Sequence, residues 1–93
     1  IVNIASVLGQ AGFAGSPAYV AAKHGVVGLT KSTALEYVAA GVRVNAVGPG
    51  FIRTPLLGGL EGNAEIMRAI TALHPLGRLG EAEEVAELVA WLC

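Results

Sequence analysis

Three side chains near the start of this chain have types and spacing that suit proton transfer to an oxygen: Ser6, Tyr19 and Lys23. Tyr19 and Lys23 are four positions apart, so on a helix both project from one face. A free phenol titrates near ~10, too high for a base at neutral pH. A lysine ammonium a few ångströms away favours the phenolate and brings that value down. A phenol tuned in this way can pass a proton to or from an alcohol oxygen. A serine hydroxyl beside it can hold the same oxygen and steady its developing charge. Together the three suit interconversion of an alcohol and a carbonyl, with the hydride left to a cofactor. Taken singly each is ordinary: most Tyr-x-x-x-Lys pairs are surface residues, a serine at a strand end is usually a cap, and Pro-Gly is usually a turn. The argument rests on their combination and on their meeting at one edge of the fold.

That meeting depends on the elements between them. Ile1 to Ala5 read as a strand, apolar and β-branched, of the kind found in a sheet covered on both faces. A loop from Val7 to Gly15 follows, longer than the roughly 2–6 residues usual for a strand-to-helix turn. Ser16-Pro17 predicts an N-cap with proline at the first helical position. The helix should run to about Ala40, with Gly41 as its stop. Val42 to Val47 form a second strand, broken by Gly48-Pro49-Gly50. Strand, helix and strand make a βαβ unit, so the strands should be parallel with a right-handed crossover. Further on, Gly58-Gly59 and Gly62 should break any early helix, and Ala64 to Leu73 can form a short one. A last helix begins near Glu81, with Glu81, Glu83 and Glu84 where the helix dipole favours negative charge. Val85, Leu88, Val89 and Leu92 then form its buried stripe. In an open α/β sheet the ligand crevice lies beyond the carboxyl ends of the strands. Ser6, Pro49-Gly50 and the first turn of the long helix, with Tyr19, all fall at that edge.

Composition narrows the partners. The chain is 54% hydrophobic and 14% charged, against roughly 25% charged for a typical soluble domain. A small domain has relatively more surface and should be richer in charge, so part of this surface is expected to be covered by further chain, by another subunit, or by both. Ile1 and Cys93 both fall inside element patterns, so residues 1–93 are expected to be a partial domain, truncated at both ends. A net charge of −1 with no Lys/Arg run argues against nucleic acid as a partner. Residues Ile1 to Ala22 carry no charge, yet Asn3, Ser6, Gln10, Pro17 and several glycines interrupt them, which argues against a membrane span. The lone Cys93 can form no internal disulfide and suits a reducing, cytoplasmic compartment. His24 lies on a different helix face from Tyr19 and Lys23. It has no partner His, Cys or Asp at metal spacing; neither it nor His74 is assigned a role, and no metal site is expected.

The residues Asn3-Ile4-Ala5-Ser6, Tyr19-Val20-Ala21-Ala22-Lys23 and Asn45-Ala46-Val47-Gly48-Pro49-Gly50-Phe51-Ile52-Arg53-Thr54 resemble the short-chain dehydrogenase/reductases. The thirteen-residue step from Ser6 to Tyr19 matches that family's spacing, and Pro75-Leu76-Gly77-Arg78 and the final helix extend the resemblance over essentially the whole chain. It implies an α/β fold, the C-terminal part of a Rossmann-like doubly wound parallel sheet. It implies Tyr19 as catalytic acid/base, Lys23 as the group that lowers its pKa and binds the nicotinamide ribose, and Ser6 as the residue that orients the substrate oxygen. Ile4, Pro49, Gly50 and Ile52 would border the nicotinamide of NAD or NADP, and Thr54 would sit near the phosphates. The stretch from Leu56 to Leu73 resembles a mobile substrate loop, in which Leu56, Leu57 and Leu60 would line the pocket. The family's glycine-rich phosphate loop, its NAD/NADP-selecting residue and its catalytic asparagine are not among these residues, so activity is expected of the complete protein. The resemblance also implies a homodimer or homotetramer packed through the Ser16–Ala40 helix, where Ala18, Ala22 and Gly25 form a small-residue stripe. Two other readings stand beside the alcohol/carbonyl oxidoreductase. One is an inactive truncated fragment or dimerising remnant. The other is a sugar-nucleotide epimerase or dehydratase relative, against which the Pro49-Gly50-x-Ile52-x-Thr54 run argues.

Overall fold

The computed structural model describes residues 1–93. Strand β1 (Val2–Ile4) is followed by a 3-10 turn at Val7–Gly9 and by the long helix α1 (Pro17–Tyr37). Strand β2 (Asn45–Val47) returns to pair with β1 in parallel, Val2 opposite Asn45 and Ile4 opposite Val47. The parallel βαβ unit is therefore present, with each paired strand shorter than its apolar run. Ser16 occupies the N-cap position ahead of Pro17, but its side chain makes no capping bond. Its backbone carbonyl accepts the Val20 N–H at 3.0 Å instead. The far end of α1 tightens into a 3-10 turn at Val38–Ala40 and stops at Gly41, whose φ of 76° is left-handed, a conformation glycine adopts without penalty.

One buried hydroxyl ties helix to sheet. Thr30, the buried residue of α1, donates to the Val26 carbonyl at 2.8 Å and accepts from Asn3 Nδ2 at 3.0 Å. Val20, Lys23, Val26, Val27, Thr30 and Ala34 form the less exposed side of α1, at the i, i+3, i+4 spacing of one face. Ala5, Val44 and Val47 are buried in the sheet region, yet only seven of 93 residues are buried at all. The two-sided cover expected for the first strand is not supplied by this chain: α1 packs on β1 and β2, α4 on β2, and Ile4 remains 47% exposed.

The second half is held together by a device too short to show as a pattern. Strand β3 (Ile52–Arg53) pairs in parallel with β4 (Gly80–Glu81), pinning both ends of the intervening segment side by side. Leu79, only 2% exposed, sits just before β4. Between the two strands lie a 3-10 turn at Pro55–Leu57 and the helices α2 (Gly58–Glu61) and α3 (Ala64–Ala72). The glycines at 58 and 59 were expected to break any early helix, but they form a single turn that continues the proline-initiated 3-10 turn. Asn63 caps α3, its Oδ1 accepting from the Glu65 and Ile66 N–H groups at 3.1 Å each.

Helix α4 (Ala82–Leu92) opens on a capping box formed by Glu81 and Glu84. Val85, Val89 and Leu92 are half-buried, whereas Leu88, expected in the same stripe, is 44% exposed. At the other end of α4, Arg43 Nη2 donates to the Leu92 carbonyl at 2.8 Å, a cation at a helix C-terminus.

Arg78 clamps Glu84 with two hydrogen bonds of 2.9 and 2.8 Å. Those bonds first, and the Glu81 N–H second, hold the Glu84 carboxyl down at about 2, from an ordinary value of 4.5. A carboxylate whose pKa falls on folding stabilises the fold above its unfolded value, and that contribution is lost as pH drops through the folded value. Both partners are half-exposed, so the effect is modest. In the complete protein, Glu84→Gln should lower the urea unfolding midpoint at pH 7, and the gap from the parent should close as pH falls from 4.5 towards 2. A gap that stays constant over that range would remove the ion pair as its source.

Candidate active site

The site begins where the strands end. Ala5 N–H donates to the Val47 carbonyl at 2.8 Å and Val7 N–H to the Pro49 carbonyl at 2.9 Å. These bonds carry the pairing past β1 and β2 and bring Ser6 beside the Pro49-Gly50 turn. Ser6 caps the following 3-10 turn, its Oγ accepting from Leu8 N–H at 3.1 Å. A serine oxygen that accepts still has its own O–H to give, so the Ser6 proton remains available to a ligand.

Tyr19 lies in the first turn of α1 and Lys23 one turn further in. Lys23 Nζ stands 5.6 Å from the centroid of the Tyr19 ring and donates to the Ile4 carbonyl at 3.1 Å. An ammonium has three donors, so that bond fixes the lysine on the strand end and leaves two N–H groups. The fit of loop to helix here depends on Gly9, which is buried. A Cβ at that position would come within 2.7 Å of Val27 Cγ2 and 3.0 Å of the Lys23 carbonyl oxygen, so only glycine lets the 3-10 turn rest against α1 at Lys23.

A cavity of about 580 Å³ gathers these groups. Ser6, Tyr19 and Lys23 line it together with Ile4, and so do Pro49, Gly50, Ile52 and Thr54 from the connection after β2. Leu56 and Leu57 also line it; Leu57 is buried, while Leu56 is 86% exposed. Leu60, expected in the same wall, is not among the lining residues: it lies in α2, a turn of helix beyond the part of the loop that reaches the cavity. Several lining residues carried no signal in the sequence. Phe13 and Ser16 come from the loop before α1, and Ala82 and Val85 from the start of α4. Phe13 is the one aromatic residue of the loop from Val7 to Gly15, and Val85 belongs to the apolar stripe of α4. Lys23 is the sole charged residue of the lining.

The remaining histidines are locally occupied. His24 Nδ1 bonds the Val20 carbonyl at 2.9 Å, and the ring is not part of the cavity. His74 bonds both Ile70 and Phe51. No three His, Cys, Asp or Glu residues are grouped so as to hold a metal ion, and no helix is long and apolar enough to cross a membrane.

Over residues 1–93 the chain matches the family model described as enoyl-(acyl carrier protein) reductase. It is 54% identical over 92 residues to the cyclohexanol dehydrogenase of Acinetobacter sp. (strain SE19), covering 99% of this chain and 35% of that protein. It is 51% identical over 92 residues to the cis-4-hydroxycyclohexanecarboxylate dehydrogenase of Sinomonas cyclohexanicum, covering 99% and 36%. The chain thus spans about a third of the length of these two curated relatives. Among solved structures, 4-hydroxyisoleucine dehydrogenase complexed with NADH superposes with a TM-score of 0.95 at 38% identity, over 99% of this chain and 38% of that one. The likeness carries the Rossmann-type α/β class expected from the sequence.

Proposed function

The chain belongs to the short-chain dehydrogenase/reductase family, and we propose that its site interconverts a secondary alcohol and a ketone with NAD or NADP, as part of the complete protein. The observation that carries this reading is the single cavity in which Ser6, Tyr19 and Lys23 face the Pro49-Gly50 turn. In the oxidative direction Tyr19 Oη takes the proton of the substrate hydroxyl. The Lys23 ammonium, 5.6 Å from the ring centroid, stabilises negative charge on that phenol oxygen. Ser6 donates its free O–H to the substrate oxygen and holds it against Tyr19. Reduction runs the same proton transfers in reverse.

The residues present fit the nicotinamide half of a dinucleotide. Lys23, fixed by the Ile4 carbonyl, keeps two donors that would serve ribose hydroxyls; Ile4, Pro49, Gly50 and Ile52 line the same cavity and would hold the nicotinamide, and Thr54 would serve the phosphate side. When bound, the cofactor accepts or supplies the hydride. For the substrate we propose a six-membered carbocyclic alcohol. The wall formed by Phe13, Leu56, Leu57 and Val85 is apolar, Lys23 is the only charge, and two relatives are named for cyclohexane-ring alcohols.

The outer side of α1 supports a homodimer or homotetramer packed through residues 16–40. Ala18, Ala22 and Gly25 are exposed, and a Cβ at Gly25 would meet nothing within 4 Å, so within residues 1–93 there is room for a second helix against the stripe. The proposed compartment is the cytoplasm, supported by the lone exposed Cys93.

In the complete protein Tyr19→Phe should lower turnover by about 10²–10⁴-fold with an unchanged circular dichroism spectrum; near-normal turnover would remove Tyr19 from its role. Cyclohexanol should be oxidised with a higher kcat/KM than gluconate, and the opposite order would overturn the ring-alcohol assignment. Gly25→Leu should dissociate the assembly in sedimentation while each subunit stays folded. An unchanged sedimentation coefficient would rule out the α1 interface.

A further inference from the structure

His74 stands at the end of α3, and both of its ring nitrogens are engaged. Nδ1 lies 2.9 Å from the Ile70 carbonyl. A carbonyl can only accept, so Nδ1 carries the hydrogen and Nε2 presents its lone pair. That lone pair accepts the Phe51 N–H at 3.2 Å, across 23 residues of chain. The imidazole also meets the Phe51 ring edge-on, with centroids 5.9 Å apart and planes at 75°. The approach is close enough that a Cβ at Gly50 would lie 3.0 Å from Nε2. On its other side Phe51 offers its carbonyl to Gly80 N–H at 3.0 Å. The backbone of Phe51 is thus held on both sides, through its N–H by His74 just beyond α3 and through its carbonyl by Gly80 of β4.

Gly50, Phe51 and Ile52 all line the cavity, whereas His74 does not. We propose that His74 is a positioning residue: it ties the end of the substrate-loop helix α3 to the Gly50-Phe51 turn, so that the edge on which the nicotinamide half rests keeps its shape only while α3 is docked. This rests on the dehydrogenase reading of the cavity. The required features are specific. Only a side chain with an acceptor at the reach of Nε2 can hold the Phe51 N–H, and a donor at the reach of Nδ1 serves the helix end alone. Glutamine extends its terminal amide about as far as Nε2 and can accept from Phe51. Asparagine reaches only as far as Nδ1 and can bond Ile70 but not Phe51.

The test is made in the complete protein with His74→Ala, His74→Gln and His74→Asn. Amide-resolved hydrogen exchange reads the clamp directly, and titration with NADH and then NADPH, followed by nicotinamide fluorescence, reads its consequence. In His74→Ala the Phe51 amide should exchange about fivefold faster or more, the effect of losing one hydrogen bond, while the Val47 amide in β2 is unaffected. Cofactor Kd and cofactor KM should rise by about threefold to tenfold on the same grounds, with kcat changing less. His74→Gln should restore both readouts and His74→Asn neither. Unchanged Phe51 exchange in His74→Ala, unchanged cofactor affinity, or rescue by asparagine as complete as by glutamine would each overturn the proposal. Normal turnover in Tyr19→Phe would defeat the dehydrogenase reading separately, since the Phe51 exchange rate does not depend on Tyr19.

Discussion

Two strands paired in parallel cannot be joined by a tight turn; the chain must leave the end of one strand, cross the sheet and re-enter at the start of the other. Here β1 and β2 pair in parallel and α1 is the crossing. It follows that the carboxyl ends of both strands and the N-terminus of α1 share one edge. Ser6, Pro49-Gly50 and Tyr19 are brought together by that constraint, although forty-three positions separate Ser6 from Pro49. The docking of α1 then sets the depth of each group. Thr30 bonds Asn3 in the middle of the helix, and Lys23 bonds Ile4 near its start. The same lysine that lies beside the Tyr19 ring therefore also fixes that ring's helix to the strand end.

The segment from Thr54 to Leu79 is governed differently. It contributes just two of the five buried hydrophobic residues, Leu57 and Leu79, and it is anchored by polar bonds at its two ends. The β3–β4 pairing brings residues 52 and 80 side by side, and Arg78 clamps Glu84. A wall built on end-anchors and few apolar contacts opens more easily than a packed core. The His74–Phe51 bond is where this wall meets the strand edge.

Burial is uneven in the same sense. Within residues 1–93 the inner side of α1 is packed, while Leu29 and Leu35 on the helix, Val38 in the turn after it and Trp91 on α4 are exposed. The low charge content and these bare apolar side chains are two expressions of one fact: the surface of residues 1–93 is suited to being covered.

The βαβ unit, the stop at Gly41, and the grouping of Ser6, Tyr19 and Lys23 were legible in the residues themselves. Each depends on local or periodic information: a β-branched run, a proline-initiated helix, a four-residue step on one helix face. What lay beyond reach depended on partners distant in the chain. Two-residue strands such as β3 and β4 have no period to detect, and they exist because Ile52 and Gly80 meet in space. Leu60 fits its apolar pattern without lining the cavity, and Leu88 fits its stripe yet is 44% exposed, because a pattern marks a face and not its neighbour. Phe13 and Val85 join the cavity wall only once the loop and α4 have docked. His74 had no role in any motif; its function emerges from a backbone N–H 23 residues away, a donor that every non-proline residue carries and that no sequence can single out. Residue types at short spacing thus determined which side chains form the candidate site, and the tertiary structure decided which surfaces enclose it, because enclosure is a property of contacts between segments the chain itself keeps far apart.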